Sequence, residues 1–413
     1  MPSPVTPSLH HSSPAVFHRL HPDGTSTPAP LHNAFAGPTP TACWLIGGGP
    51  SLASLPTDAI ARSPLPKMSI NLAGTRLLRP TFWTSYDPSA RFHRSVYLDP
   101  SILKFVHRRR SMDLIPETTF KVCEAPATFF FDRDPQRGFA DFLSSSHTTI
   151  VDWADSFVQA IDLLYHLGFR TLYLAGCELR IHPSPAQLAS ARLKGVEHNP
   201  HGRLDEWLNA CRKAGLTDSD LDLLDPAPQY HFDESKPIAA AASTDLHYFR
   251  IAQYLRLSRR ALTLAGLQLI SVTPDSRLND YFPFAPVESV LAQITETIGN
   301  PATEPTRGLY RQTTPRPAPH LGPMRDYRPH NWPPRKPIPT AAQAASTAPH
   351  PVPNGNLVPL ANANPRPTAP VEPDLLIECE GPQLITAHDP IEHLRNVLDS
   401  LPADLRIPDE QPQ

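Results

Sequence analysis

Gly47, Gly48 and Gly49 are the residues whose type and spacing point most directly to chemistry. They end the apolar stretch WLIGGGPSL, which begins at Trp44 and closes with Pro50, Ser51 and Leu52. It reads as a strand running into a glycine turn, with a helix starting at Pro50 and Ser51. Proline is tolerated in a helix's first turn and serine is a good N-cap. Glycine lets backbone N–H groups approach an oxygen closely, and a helix N-terminus favours negative charge. The segment can therefore seat a phosphate on Gly47, Gly48 and Gly49. A tight strand-to-helix turn that simply needs glycine explains the same residues.

Asn71, Asp87, Glu178, Thr273 and Ser276 each follow an apolar run that reads as a strand. Ligands of open parallel sheets bind outside the carboxyl ends of the strands, near a topological switch. Several strand ends carrying polar residues favour a bound ligand over a bare turn. Other clusters say less. His182, Glu197, His198 and His201 fall on an irregular loop without cysteine, and read as solvated rather than metal-binding. Arg108, Arg109 and Arg110 read as the solvated end of an apolar helix, able to attract phosphate. Cys177 reads as a small buried hydrophobe, since no basic partner that would activate it is evident.

The elements that must position these residues occupy only part of the 413-residue chain. Its 52 prolines crowd the two ends and thin out in the middle. Residues 1–40 and 300–373 are therefore expected to be disordered, because they cannot bury enough apolar surface to offset ordering entropy. Residues 374–413 hold a short strand candidate at 375–378 and an amphipathic helix candidate at 390–401. They read as a weakly ordered tail, with docking to a protein partner as the alternative. Between them, 41–299 alternates apolar runs with helical periodicity, as an α/β fold with a mainly parallel sheet does. The expected strands are 42–46, 67–70, 81–86, 120–123, 148–151, 171–175 and 267–272. Expected helices cover 153–167 and 246–265, stopped by Gly168 and Gly266. A single Rossmann-like domain flanked by disordered proline-rich tails is the fold expected.

Composition narrows the function classes. A net charge of −3 offers no whole-chain case for nucleic acid. Five scattered cysteines without close spacing read as reduced thiols in a cytoplasmic protein. No apolar run is long enough to span a bilayer, and the first twenty or so residues lack the pattern of a secretory signal.

The segments GGGPSL, SINLAG, YDP, DLLYHLGFRTLYLAGCEL and SVTPDSRLNDYFP occur in this order. Together, over residues 41–298, they resemble a Rossmann-like group of bacterial and archaeal transferases. The group contains the single-domain bacterial sialyltransferases and the 6-hydroxymethylpterin diphosphokinase-like family. The resemblance implies that Gly47, Gly49 and Ser51 lie against nucleotide phosphates, with Gly48 between them. It implies that Asn71 contacts the nucleotide, that Ser156 lies near the donor-binding turn, and that Thr273, Pro274 and Ser276 close over the ligand. Two departures separate the chain from the sialyltransferases: Asp87 stands in place of their Asn, and Ala154-Asp155-Ser156 in place of Thr-Ser-Gly.

The function this implies is a nucleotide-dependent transferase, glycosyltransferase-like, taking a nucleotide sugar as its small-molecule donor. His247 is nearest to the position of the family's general base, and His231 is the alternative. A diphosphokinase-like phosphoryl transferase is the second reading. It would need carboxylates to hold Mg²⁺ against phosphates, with Asp87 first and Glu178 and Asp152 behind it. A non-catalytic nucleotide- or sugar-binding module is the third.

Overall fold

A computed structural model describes residues 15–37, 41–74, 77–224, 230–232 and 235–298. Eleven strands are defined there: β1 (Phe17–Leu20), β2 (Ser26–Ala29), β3 (Thr41–Ile46), β4 (Lys67–Ile70), β5 (Phe82–Thr84), β6 (Leu103–His107), β7 (Thr128–Phe131), β8 (Arg133–Asp134), β9 (Ile150–Val151), β10 (Phe169–Ala175) and β11 (Gln268–Ser271). Nine of them form one sheet in the order β11-β10-β3-β4-β5-β6-β7-β1-β2, while β8 and β9 pair separately. From β11 to β7 every pairing is parallel. The β1–β2 hairpin joins β7 antiparallel. The fold is thus mixed α/β with a large, mostly parallel sheet.

Alternation along the central strands builds two core layers, because successive side chains point to opposite faces. Cys43 and Leu45 of β3, with Leu172 and Leu174 of β10, pack beneath the helices Ser156–Leu167 and Ile238–Leu257. Trp44, Ile46 and Tyr173 face the other way, toward Ile60, Val287, Val290 and Ile294. Burial on both faces explains why these strands read as near-continuous apolar runs.

The strand order reverses at β3. The chain leaves β3 toward β4 on one side and returns on the other at β10. Ile46 pairs with Ala175 in the last rung, so Gly47 and Gly176 leave the sheet together. This is the topological switch at which open α/β sheets form their ligand crevice.

Several sequence expectations change. Residues 15–37 are not a disordered arm. They supply the β1–β2 hairpin and then a segment that runs beneath the sheet. Phe35 of that segment stacks on Phe169 at 5.5 Å and meets Phe82 edge-on at 5.1 Å. Its N–H donates to Leu167 O, at the end of a helix closed by Gly168 in the left-handed conformation. A composition dominated by proline, serine and histidine concealed two aromatic anchors, Phe17 and Phe35. The run before Arg108 is strand β6 rather than a helix, paired parallel to β5 on one side and β7 on the other. Residues 120–123 make no strand; Lys121 bridges Leu114 and a 3₁₀ turn, Val122–Glu124, follows. The long helix starts at Ile238, within an alanine-rich stretch, and is interrupted at Ser258, whose hydroxyl bonds back to Tyr254 O. The expected linker at 300–373 and tail at 374–413 lie outside the described residues. Among the described residues no helix is long and apolar enough to cross a membrane.

Buried ionisable groups give the fold a pH dependence. His166 is fully buried, and burial with nearby Arg137 holds its imidazole down at about 3. Burial and Arg133 hold His107 at about 3 as well. An unfolded histidine takes a proton near 6.5. Between about 6.5 and 3 the unfolded chain therefore binds more protons at these sites, and stability falls as pH drops through that window. Asp162 acts oppositely: burial pushes it up to about 6 despite Arg137 at 3.0 Å, so it takes up a proton in the folded state. One carboxyl with the smaller shift does not cancel two histidines. Urea midpoints at pH 7 and pH 4.5 should show a clear loss at the lower pH; equal midpoints would contradict the assignment.

Candidate functional site

The glycine turn departs from expectation at its centre. The residues after Gly49 form a single 3₁₀ turn, Pro50–Ala53, and no side chain of the turn caps it. The α-helix follows only at Thr57–Arg62. A turn of four residues carries little of the dipole that a long helix offers an anion. The Ser51 N–H instead donates to Glu178 Oε1 at 2.5 Å. A Cβ on Gly49 would stand 1.5 Å from Glu178 Oε2. The chain's own carboxylate therefore occupies the place where a phosphate was expected. Gly47 is needed for a different close approach: a Cβ there would stand 2.3 Å from Gly176 O and 2.8 Å from Cys177 Sγ. Gly48 lies beneath His231, whose ring a Cβ would meet at 3.1 Å, and Gly48 O accepts from Phe232 N.

Glu178 is held there by its backbone. Gly176, at φ 65°, turns the chain after β10. Cys177 N donates to Thr273 Oγ1 at 3.1 Å, Ser276 Oγ donates to Cys177 O at 2.6 Å, and Arg277 N donates to Glu178 O at 2.8 Å. Thr273 and Ser276 are buried and hold β10's end in place, so their hydroxyls do not face a ligand as the resemblance implied. Pro274 beside them is exposed. Burial pushes the Glu178 carboxyl upward, against the pull of Ser51. Burial also pushes the Cys177 thiol well up, which leaves it inert as a nucleophile.

One strand over, Asn71 ends β4 in the left-handed region, φ 52°, which asparagine tolerates better than most residues. Its Oδ1 accepts from Ser85 Oγ at 2.6 Å and from Ser156 Oγ at 2.9 Å. Ser156 also accepts from Tyr86 N at 2.8 Å. Ser156 is buried and ties the ends of β4 and β5 to the start of its helix. It positions Asn71, whose Nδ2 is left pointing away from these hydroxyls as a donor. Asp87 does not stand alone: its Oδ1 accepts from Arg91 Nη1 at 2.9 Å. Asp152 accepts from the Tyr86 hydroxyl at 2.8 Å, and burial pushes that phenol up to about 12.

These carboxylates bear on the magnesium reading. Asp87 pairs with Arg91, Asp152 with Tyr86 and Glu178 with the Ser51 amide. Among the described residues no three His, Cys, Asp or Glu side chains gather as a metal cage requires. Mg²⁺ at Asp87 would rest on the single carboxylate oxygen that Arg91 does not hold, with the phosphates of a ligand as its other partners.

His247 and His231 both reach this edge of the sheet. His247 projects from the helix Ile238–Leu257, and its Nε2 lies 3.2 Å from Asp155 Oδ2. Its ring stacks on Trp153 at 6.2 Å with planes 20° apart, and the side chain is 39% exposed. Asp155 serves two partners: Oδ1 caps the helix Ser156–Leu167 by accepting from Phe157 N at 2.7 Å and Val158 N at 3.0 Å, while Oδ2 faces the imidazole. His231 stacks face to face on Tyr230 at 4.0 Å. Tyr248 follows, stacked on Tyr230 at 6.4 Å, and burial, with smaller pushes from Tyr230, Asp155 and Glu178, raises its phenol. The glycine turn and the His247–Asp155 pair thus meet around one helix.

Asp155 and Trp153 were not singled out as functional from sequence. An Asp before an amphipathic run is a readable N-cap signal, but its second partner is 92 residues away. In the 182–201 loop His182 pairs with Asp275 at 2.7 Å and its ring meets His198 at 5.7 Å.

No family model, no curated protein and no solved structure matches this chain.

Proposed function

We propose that the crevice beyond β3, β4, β5 and β10 is the active site of a nucleotide-dependent transferase, glycosyltransferase-like, with a nucleotide sugar as donor. The observation that carries this reading is the His247–Asp155 pair beside the Asn71–Ser156 network. Asp155 is anchored by its capping bonds, so it holds the imidazole with Nε2 as the donor and leaves Nδ1 as the basic nitrogen, the tautomer being inferred from that contact. An acceptor hydroxyl attacks the anomeric carbon, the bond from that carbon to the phosphate oxygen breaks, and the nucleotide leaves with the electron pair. The hydroxyl's proton passes to His247 as general base. Exposure of the ring at the lip suits a base that must meet an acceptor arriving from solvent.

A panel of nucleotides and nucleotide sugars tests the reading by thermal shift, followed by donor turnover without acceptor. Stabilisation by one nucleotide series and slow hydrolysis of the matching sugar are expected. Stabilisation without product from any donor would leave a binding module in place of an enzyme, and no stabilisation by any compound would remove both.

A further inference from the structure

We infer that the phosphoryl group of the ligand sits on Arg133, with Arg109 and Arg110, beyond the ends of β5, β6 and β7, and not on the glycine turn. Two observations point the same way. Glu178 already holds the Ser51 amide and fills the space over Gly49, so an anion there would meet a carboxylate. Arg133, by contrast, is a largely enclosed guanidinium without a carboxylate partner of its own. Its Nε and Nη2 both donate to Gln159 Oε1, the former at 3.0 Å. Its guanidinium lies 3.8 Å over the Tyr86 ring. No ion pair to Arg133 exists within 4.0 Å among the described residues.

The surroundings make this a built site. Gln159 is buried, and its own amide is fixed by Thr84 Oγ1 at 2.7 Å and Ser85 O at 3.2 Å, so it aims the arginine. Tyr86, beneath the guanidinium, donates its backbone N–H to Ser156, which joins Arg133 to the Asn71 network. Arg110 approaches from the end of β6, close enough to act on Arg133 itself, and Arg109 stands next to it in the chain, acting with both on His107. Arg110 has only a half-exposed pairing to Asp113 at 3.7 Å, and Arg109 has no ion pair among the described residues. The acidic groups facing Arg133 are Asp152 and Asp87, each already engaged, by the Tyr86 hydroxyl and by Arg91. Burial draws Arg133 down to about 10, a penalty that a bound anion would relieve. Planar guanidinium groups match phosphate oxygens with paired hydrogen bonds. Of the Arg108–Arg110 cluster, which reads as a solvated helix end in the sequence, Arg108 turns instead to Asp132 and Ser26.

The inference deepens the transferase reading, and its test separates the two. Inorganic pyrophosphate, which has no sugar or base, is titrated calorimetrically into the full chain at low ionic strength. Binding is expected, weakening as salt is added. Arg133→Met should reduce affinity at least tenfold, and Arg109→Ala with Arg110→Ala several-fold, with circular dichroism unchanged. Absence of binding to the unaltered chain, or affinities within twofold for the variants, would overturn the subsite. Should Arg133→Met fail to fold, the exposed double variant decides alone. Pyrophosphate binding with this arginine dependence, but without turnover of any donor, would sink the transferase and keep the subsite. Donor turnover indifferent to these arginines would do the reverse.

Discussion

Replacing His247 by alanine is expected to lower kcat for the donor that the panel identifies by about 10²–10⁴-fold, the usual contribution of a positioned general base. The same change should alter stability by no more than about 0.5 kcal/mol, because the side chain is part-exposed on a helix surface and alanine is a strong helix former. Asp155→Asn sharpens the test. Asparagine caps a helix about as well as aspartate, so the bonds to Phe157 N and Val158 N have a substitute. What is lost is the charge that orients the imidazole. A fall in kcat with KM and the unfolding midpoint unchanged marks Asp155 as a positioning residue. Activity of His247→Ala within threefold of the parent would end the base assignment and turn attention to His231.

Gly47→Ala is the substitution expected to harm the fold most. Its Cβ would meet Gly176 O at 2.3 Å, and neither can rotate away, because Gly176 O is backbone and a Cβ is fixed by the backbone that carries it. Relief requires parting β3 from β10 where Gly47 N donates to Ala175 O at 2.8 Å, in the middle of the sheet. A loss of about 3 kcal/mol is expected, the upper part of the range for overpacked cores. Gly49→Ala offers an internal comparison. There the obstacle is the tip of Glu178, which can swing aside at the cost of its bond to Ser51, about 1.5–3 kcal/mol for a charged acceptor. Urea unfolding should rank Gly47→Ala as the more damaging; the opposite ranking would show that the β3–β10 contact yields more easily than its geometry implies.

What could be read from the sequence follows from where each residue finds its partner. β3, β4 and β10 are apolar runs closed by glycine or asparagine, and both signals are local. β6 was harder, because Lys104 interrupts it. That lysine is fully buried and its ammonium donates to Asp99 O at 2.6 Å, a bond that makes a charged residue acceptable inside the sheet and leaves no trace in periodicity. The N-terminal hairpin was hidden by averaging composition over forty or so residues, although Phe17 and Phe35 anchor that segment in the core. At the proposed site, Asn71, Asp87 and Glu178 were legible as polar residues that follow apolar runs. Their roles were not, since each depends on a partner elsewhere: Glu178 on Ser51, 127 residues away, and Asn71 on Ser156, 85 away.

Glu178 and Gly49 also bind each other's history. With 1.5 Å between the Glu178 oxygen and the place where any side chain at 49 would begin, neither position can change freely while the other stands. A side chain at 49 displaces the Glu178 tip, and a shorter residue at 178 strips the Ser51 amide of its acceptor; either change opens the turn to an outside anion. The turn thus has two settings, one in which the carboxylate keeps phosphate off it and one in which the Ser51 amide is free to meet an anion from outside.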